Sequence, residues 1–318
     1  MNTYGTQFRV TTYGESHGLA VGAVIDGCPS QLRIDTEAIR QALARRRGNG
    51  SPETTSRQEE DTVVFLSGLK DGVTLGTPIA FEVRNSDARP DDYAPLENLF
   101  RPGHADYTYQ AKYGLRDHRG GGRSSARETV ARVVAGTIAR QLLAPIAIHA
   151  EVVEMGPEVP NDTRGGIVAC RIDGLAAGIG EPLFDKLNAQ LAHAMMTIPS
   201  AIGFEMGIGF AAAQMTGSQY IDRWNENVDT YQPINVSTKT NHCGGVQGGI
   251  SNGMPVEFRV AFHPVVTLPQ PVECLDTEGN LTTLNIGGRH DRCQVLRTPV
   301  IVESMAALCL INLMDIKK

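Results

Sequence analysis

Three histidines stand in turn-like contexts beside glycine, acid or arginine: His17 in GESHG, His104 in RPGHAD and His290 in GGRHD. Histidine is the side chain best suited to moving protons near neutral pH. Five arginines, Arg46, Arg101, Arg123, Arg127 and Arg289, lie in or near glycine-rich stretches. Their guanidiniums can bind phosphate and carboxylate bidentately. Asp291 follows Arg289 and His290 directly. Gly120, Gly121 and Gly122 permit a tight turn, and Ser125 with Glu128 three residues on has the pattern of a capping box. That pattern places a helix start at Ser125. Unpaired N–H groups beside Arg123 and Arg127 would suit a phosphate or carboxylate. The same residues also fit an ordinary capped helix with two solvated arginines, and lone histidines are more often structural than catalytic. Taken together they describe an enzyme handling a small polyanion by proton transfer and charge stabilisation. There is no H-E-x-x-H, nucleophile elbow or Walker A loop, and the residues by themselves name no cofactor.

Composition narrows the partners. The chain has 318 residues, 41% hydrophobic and 20% charged, as expected for a globular protein. Its net charge of −6 argues against bulk attraction to nucleic acid or an anionic membrane. An anion must therefore be caught by local arginine clusters. Cys28, Cys170, Cys243, Cys274, Cys293 and Cys309 form no C-x-x-C pair, so neither a metal site nor a disulfide framework is expected. Reduced thiols in a cytoplasmic protein are the simplest expectation. No signal peptide precedes residues 7–10, and no apolar run approaches the roughly 20 residues that span a bilayer.

The elements that must hold these residues can be read in turn. Residues 6–26 read as two strands joined by GESHG. Residues 35–47 read as a helix with Asp35 or Thr36 as N-cap and Ile39 and Leu43 on one face. Strands are expected at 62–68 and 78–84, followed by an ordered loop over 85–103. After Ser125, Ala126, Val130, Val133, Val134, Thr137, Ile138 and Leu142 recur at the spacing of one buried helical face. Residues 146–153 and 166–173 read as strands. Residues 182–198 read as a helix with Leu183, Leu187, Leu191, Ala194 and Met195 inward. A strand-like stretch at 199–210, a polar excursion at 217–242, a glycine loop at 244–253, a strand at 255–262 and a final helix at 299–314 complete the chain. With no linker or repeat, a single α/β domain of the α+β type is expected over 1–318, with largely antiparallel strands and long helices between them.

The stretch FRPGHADYTYQAKYG followed by RGGGRSSARET, with GESHG before it and GGRHD after it, resembles the chorismate synthase family. The resemblance runs over nearly the whole chain. It implies two antiparallel sheets sandwiching long helices, assembled as a homotetramer. It further implies conversion of 5-enolpyruvylshikimate 3-phosphate to chorismate by anti-1,4 elimination of phosphate. The family needs reduced FMN without net redox change, and NADPH is a candidate reductant. By motif, His17 and His104 carry over as acid–base histidines, with Ser16 adjoining the first. One is implied to protonate the departing phosphate and the other to keep the reduced flavin protonated. Asp291 carries over as a carboxylate assisting proton removal. Arg123, Ser124, Ser125, Pro199, Ser200, Gly248 and Arg289 match flavin-contacting positions, as does the segment His263, Pro264, Val265, Val266 and Thr267. Arg46, Ser125, Arg127 and Arg289 match positions that grip the substrate's phosphate and carboxylates.

Several positions depart from the family pattern. The usual RRRPGTSR reads RRRGNGSP from Arg45, KPTSS becomes His263 to Thr267, the lysine of AVKG is Ile202, and RHDPC continues as Asp291, Arg292 and Cys293. The stretch from about 155 to 175 reads as shortened. These features imply a divergent member with an altered flavin pocket. The alternative is an impaired paralogue that binds flavin or a phosphorylated ligand without turnover. A more distant rival is an unrelated sugar-phosphate lyase or transferase with a similar arginine-rich site.

Overall fold

The structure, a computed structural model, describes residues 1–48, 54, 59–87, 90–226, 236–268, 270–284 and 291–315. In chain order the strands and helices are β1 (Thr3–Tyr4), β2 (Arg9–Tyr13), β3 (Ala20–Asp26), α1 (Thr36–Arg46), β4 (Val63–Phe65), β5 (Leu69–Lys70), β6 (Val73–Thr74) and β7 (Ile79–Arg84). There follow β8 (Leu99–Phe100), α2 (Asp106–Tyr113), α3 (Thr129–Leu143), β9 (Ala147–Met155), β10 (Gly166–Asp173), α4 (Leu187–Met196), β11 (Ala201–Met206) and α5 (Gly217–Tyr220). The chain closes with β12 (Val246–Gln247), β13 (Ile250–Ser251), β14 (Val256–Phe262), β15 (Val272–Asp276), β16 (Leu281–Leu284) and α6 (Pro299–Leu313).

Two antiparallel sheets enclose a helical layer. One has the order β1-β2-β3-β7-β4 and the other β11-β14-β10-β9. Alternation sets the inward faces. In β14, Val256, Phe258, Val260 and Phe262 are buried while Glu257 and Arg259 are not. In the first sheet Val21, Ala23 and Ile25 pair with Val83, Phe81 and Ile79, all buried. α3 packs on the first sheet, α6 on β9 and β10, and the two helices pack on each other. At their crossing Gly136 leaves room that a Cβ would lack, since it would lie 2.6 Å from Ser304 Cα. Every residue of α6 from Val300 to Ile311 is buried, as expected for a helix with no solvent face. A smaller sheet, β16-β15-β8, lies apart from these layers with its own small core.

Most expected elements are present, with several differences. The RPGHAD stretch leads into α2, whose apolar content is too low for periodicity to reveal it. The 85–103 stretch also holds a 3-10 turn at Pro90–Leu96 and the short β8. The 182–198 helix begins only at Leu187, and Leu183 is 68% exposed rather than inward. Ser125 caps a 3-10 turn, Ala126–Glu128, by accepting from the Arg127 N–H at 3.3 Å. Glu128 does not reach back to complete the box; it pairs with Arg132 at 2.7 Å. α1 follows expectation, with Asp35 accepting from the Ala38 N–H at 2.9 Å.

Candidate active site

The β2–β3 turn carries Ser16 and His17. Ser16 Oγ lies 3.1 Å from His17 Nδ1 and donates to Gly120 O at 3.3 Å. Tyr93 meets the His17 ring edge-on at 4.7 Å between centroids. His104 comes from the loop before α2. Its Nδ1 is 3.0 Å from Arg101 Nη2 and 3.2 Å from Asp106 Oδ1. The three glycines bring these elements together. A Cβ on Gly120 would strike His17 Nδ1, one on Gly121 would lie 2.7 Å from His104 Cε1, and one on Gly122 would lie 2.7 Å from Glu15 Oε2. All three have left-handed φ, between +52° and +85°. The turn is therefore glycine because both histidines press on adjacent residues of it.

These residues line a cleft of about 770 Å³. Of the expected site residues, His17, His104, Asp291, Arg46, Arg123, Ser124, Ser125, Arg127, Pro199, Ser200, His263, Val265, Val266 and Thr267 line it. Ser16 is buried behind His17, and Pro264 is not on the wall. Gly248 turns the β12–β13 hairpin with φ +63° and does not line the cleft. Arg289 and His290 lie outside the described residues. Val266 packs against the RPGHAD loop: a Cβ on Gly103 would sit 3.1 Å from its Cγ1. The valine thus replaces a hydroxyl with loop packing.

Charge in the cleft opposes that of the whole chain. Its described lining includes Arg46, Arg47, Arg101, Arg123, Arg127, Arg132 and Arg297 against Glu59, Asp87, Glu128 and Asp291. A basic cleft on an acidic protein concentrates anions locally. The arginines are held by the chain's own oxygens. Arg123 donates to Thr12 Oγ1 at 2.5 Å and Gly14 O at 3.1 Å, tying the glycine turn to β2. Arg127 donates to Asn85 Oδ1 at 2.9 Å and pairs with Asp61 and with Glu59 at 2.6 Å. Arg46 donates to Asp61 at 3.1 Å. Burial pushes its guanidinium down to about 10, with Arg297 and Arg127 adding to the shift and Asp61 opposing it. Asp291 pairs with Arg297.

Arg101 departs from its expected role. Rather than reaching for a ligand, it makes a fork with Asp106, Nε at 2.8 Å and Nη2 at 2.9 Å. Burial raises the Asp106 carboxyl, but Arg101 and His104 more than offset this and hold it well below the usual range. Sequence reasoning also passed over Glu59, Asp61, Arg132 and Arg297, while Asn85 falls in the 85–103 loop that the sequence marks as ordered. Asp106 had a local signal, standing two residues after His104. Asp61 had none, since its partners come from elements far away in sequence.

A sequence model of the family described as chorismate synthase matches residues 8–161 and 157–314. The two stretches meet in the β9–β10 connection, where the chain reads as shortened. A chorismate synthase from Cytophaga hutchinsonii is 46% identical, covering 98% of this chain and 96% of the relative. One from Opitutus terrae is also 46% identical over the same shares. A solved structure titled as the crystal structure of chorismate synthase superposes with a TM-score of 0.74 at 27% identity, covering 98% of this chain and 92% of the other. On the family match, the near-complete coverage and the shared fold, this chain belongs to the chorismate synthase family.

Proposed function

We propose that the cleft carries out the lyase reaction of this family, anti-1,4 elimination of phosphate from 5-enolpyruvylshikimate 3-phosphate to give chorismate. The observation that carries this reading is the meeting of His17 and His104 on adjacent glycines beside an arginine cluster. Sites for small molecules and cofactors occupy roughly 300–1,000 Å³, and a cleft of about 770 Å³ falls in the upper part of that range. Pro199, Val265 and Val266 offer apolar wall, while Ser124, Ser200 and Thr267 offer hydroxyls. These residues fit a flavin, and reduced FMN bound there would supply the transient electron of a redox-neutral elimination.

The chain's own residues do the rest. His17, oriented through Ser16, gives a proton to the departing phosphate. His104, whose Nδ1–H donates to Asp106, itself forked by Arg101, would work from Nε2 to keep the bound reduced flavin in one protonation state. Arg46, Arg127 and Ser125 hold the substrate's anionic groups, and donors fixed in advance lose little reorganisation when phosphate charge develops. Asp291, steadied by Arg297, provides a carboxylate where the C6 hydrogen leaves. We take residues 1–318 as one domain working as a cytoplasmic homotetramer, with NADPH as a candidate reductant. Among the described residues no helix is long and apolar enough to cross a membrane. No observation favours the impaired paralogue. Anaerobic incubation with chemically reduced FMN and substrate should give chorismate and phosphate in equal amounts; flavin binding with no chorismate would overturn the reading.

A further inference from the structure

Asp61 has no part in the reaction just described. Its side chain is 0% exposed, although it stands beside a polar cleft. Its backbone is left-handed, with φ +54°, a conformation that Asn, Asp and Gly tolerate best. Two arginines from different parts of the chain share its carboxylate. Arg46 Nη2, at the end of α1, meets Oδ2 at 3.1 Å. Arg127 Nη1, on the 3-10 turn before α3, meets Oδ1. Arg127 is held on its other sides by Asn85 Oδ1, Arg84 O and Glu59. Arg46 is not: its Nε is buried and has no hydrogen-bond partner among the described residues. Arg297 adds further positive charge beside it.

We propose that Asp61 is a positioning residue of the anion grip, a carboxylate that clamps Arg46 and Arg127 at one fixed spacing and so makes the cleft prefer the phosphorylated, carboxylate-bearing substrate over inorganic phosphate. The proposal rests on the reading that these two arginines hold substrate. Two guanidiniums repel each other, and a shared carboxylate cancels that repulsion while fixing both planes. Without it, Arg127 stays held by Asn85, Arg84 O and Glu59, while Arg46 turns away from it toward whatever anion arrives. The cleft also becomes more positive. A small symmetric anion then gains, while an extended one loses its register.

Asp61→Asn tests this, because asparagine keeps the size and tolerates the left-handed backbone while removing the charge. Asp61→Gly removes the carboxylate with no demand on φ. In the anaerobic assay the variants should raise KM for the phosphorylated substrate by about tenfold or more, the usual worth of a charge-assisted contact. Inorganic phosphate should inhibit them more strongly than it inhibits the unaltered protein. Calorimetric titration of inorganic phosphate, which needs no turnover, should likewise show tighter binding to the variants. A merely structural role would weaken both ligands together. Parallel loss of substrate and phosphate binding, no change in either, or failure of both variants to fold would overturn the proposal. An unaltered protein that forms no chorismate would count against the functional reading instead, and the phosphate titrations would still decide the role of Asp61.

Discussion

Arg45 and Arg46 are neighbours in sequence and serve two opposite clusters. Arg45 forks onto Glu303 in α6 at 2.7 and 2.8 Å. Arg46 turns to Asp61 beside the cleft. In each cluster one buried carboxylate bridges two arginines: Glu303 joins Arg45 to Arg140, and Asp61 joins Arg46 to Arg127. The surroundings differ. Glu303 also accepts the Ala150 N–H at 3.1 Å, and its arginines are 41% and 36% exposed. That cluster is closed on its carboxylate and wet on its cations, which suits a tie between helices and sheet. Around Asp61 the arginines are themselves 6% and 4% exposed, and Arg46 Nε is left over. Buried cations with a donor to spare fit the proposed grip on another anion. On that proposal the same ion-pair arrangement serves folding in one place and recognition in the other.

The largest contrast should come from removing the closed carboxylate. Breaking a buried ion pair by deleting one partner costs about 3–5 kcal/mol. Glu303→Ala should fall at the low end, about 3 kcal/mol, because its arginines can rehydrate. Denaturant unfolding should register this loss, while substrate affinity of the folded fraction stays unchanged. A variant that unfolds normally but binds poorly would erase the distinction between the clusters. On the open side, Arg127→Ala should weaken substrate binding by roughly 1.5–3 kcal/mol. Calorimetry showing unaltered affinity would return Arg127 to a structural role.

Asp106 stands between the two cases, closed on Arg101 yet touching His104, the proposed acid–base residue. Its folded carboxyl lies below the ordinary range, with burial opposed by Arg101 and His104. A depressed carboxyl contributes stability that is complete above its unfolded value, about 3.9, and lost as pH falls toward the folded value. Below about pH 4 the unaltered protein should lose stability more steeply than Asp106→Asn. Equal slopes for the two would remove Asp106 from the acid response. The smallest effect is expected at His263. Its imidazole stands on the cleft wall with Val265 and Val266. His263→Ala should weaken FMN binding without substrate, by less than about tenfold. Flavin fluorescence titrations that show unchanged affinity would remove His263 from the flavin site.

The legible parts of the sequence share one property: their signal is local. The β2–β3 hairpin around GESHG, the Asp35 cap of α1 and the largely apolar α6 each announce themselves within a few residues. The two histidines could be picked out because glycine and arginine flank them. α2 carries no such signal, because Tyr107, Tyr109 and Tyr113 stand among polar residues and leave no buried stripe. Leu183 looked like the start of an inward face, yet Gly180 and Pro182 hold the chain out of helix until Leu187. The glycine turn was recognised as permissive, but not that His17 and His104 themselves require it. The acidic halves of the clusters were the least legible. Asp61 lies 15 residues from Arg46 and 66 from Arg127, and the packing of α1 on α3 brings the two arginines together around it.

The proposed elimination depends most on the two histidines meeting at Gly120 and Gly121. Anaerobic turnover with saturating reduced FMN should be measured in parallel for the unaltered protein, His17→Ala and His104→Ala. The unaltered protein should release phosphate and form chorismate in equal amounts. Each variant should fall by roughly 10²–10⁴ in turnover, the usual worth of a general acid or base, with substrate affinity nearly unchanged. Near-normal turnover in either variant, or phosphate release without chorismate in the unaltered protein, would contradict it.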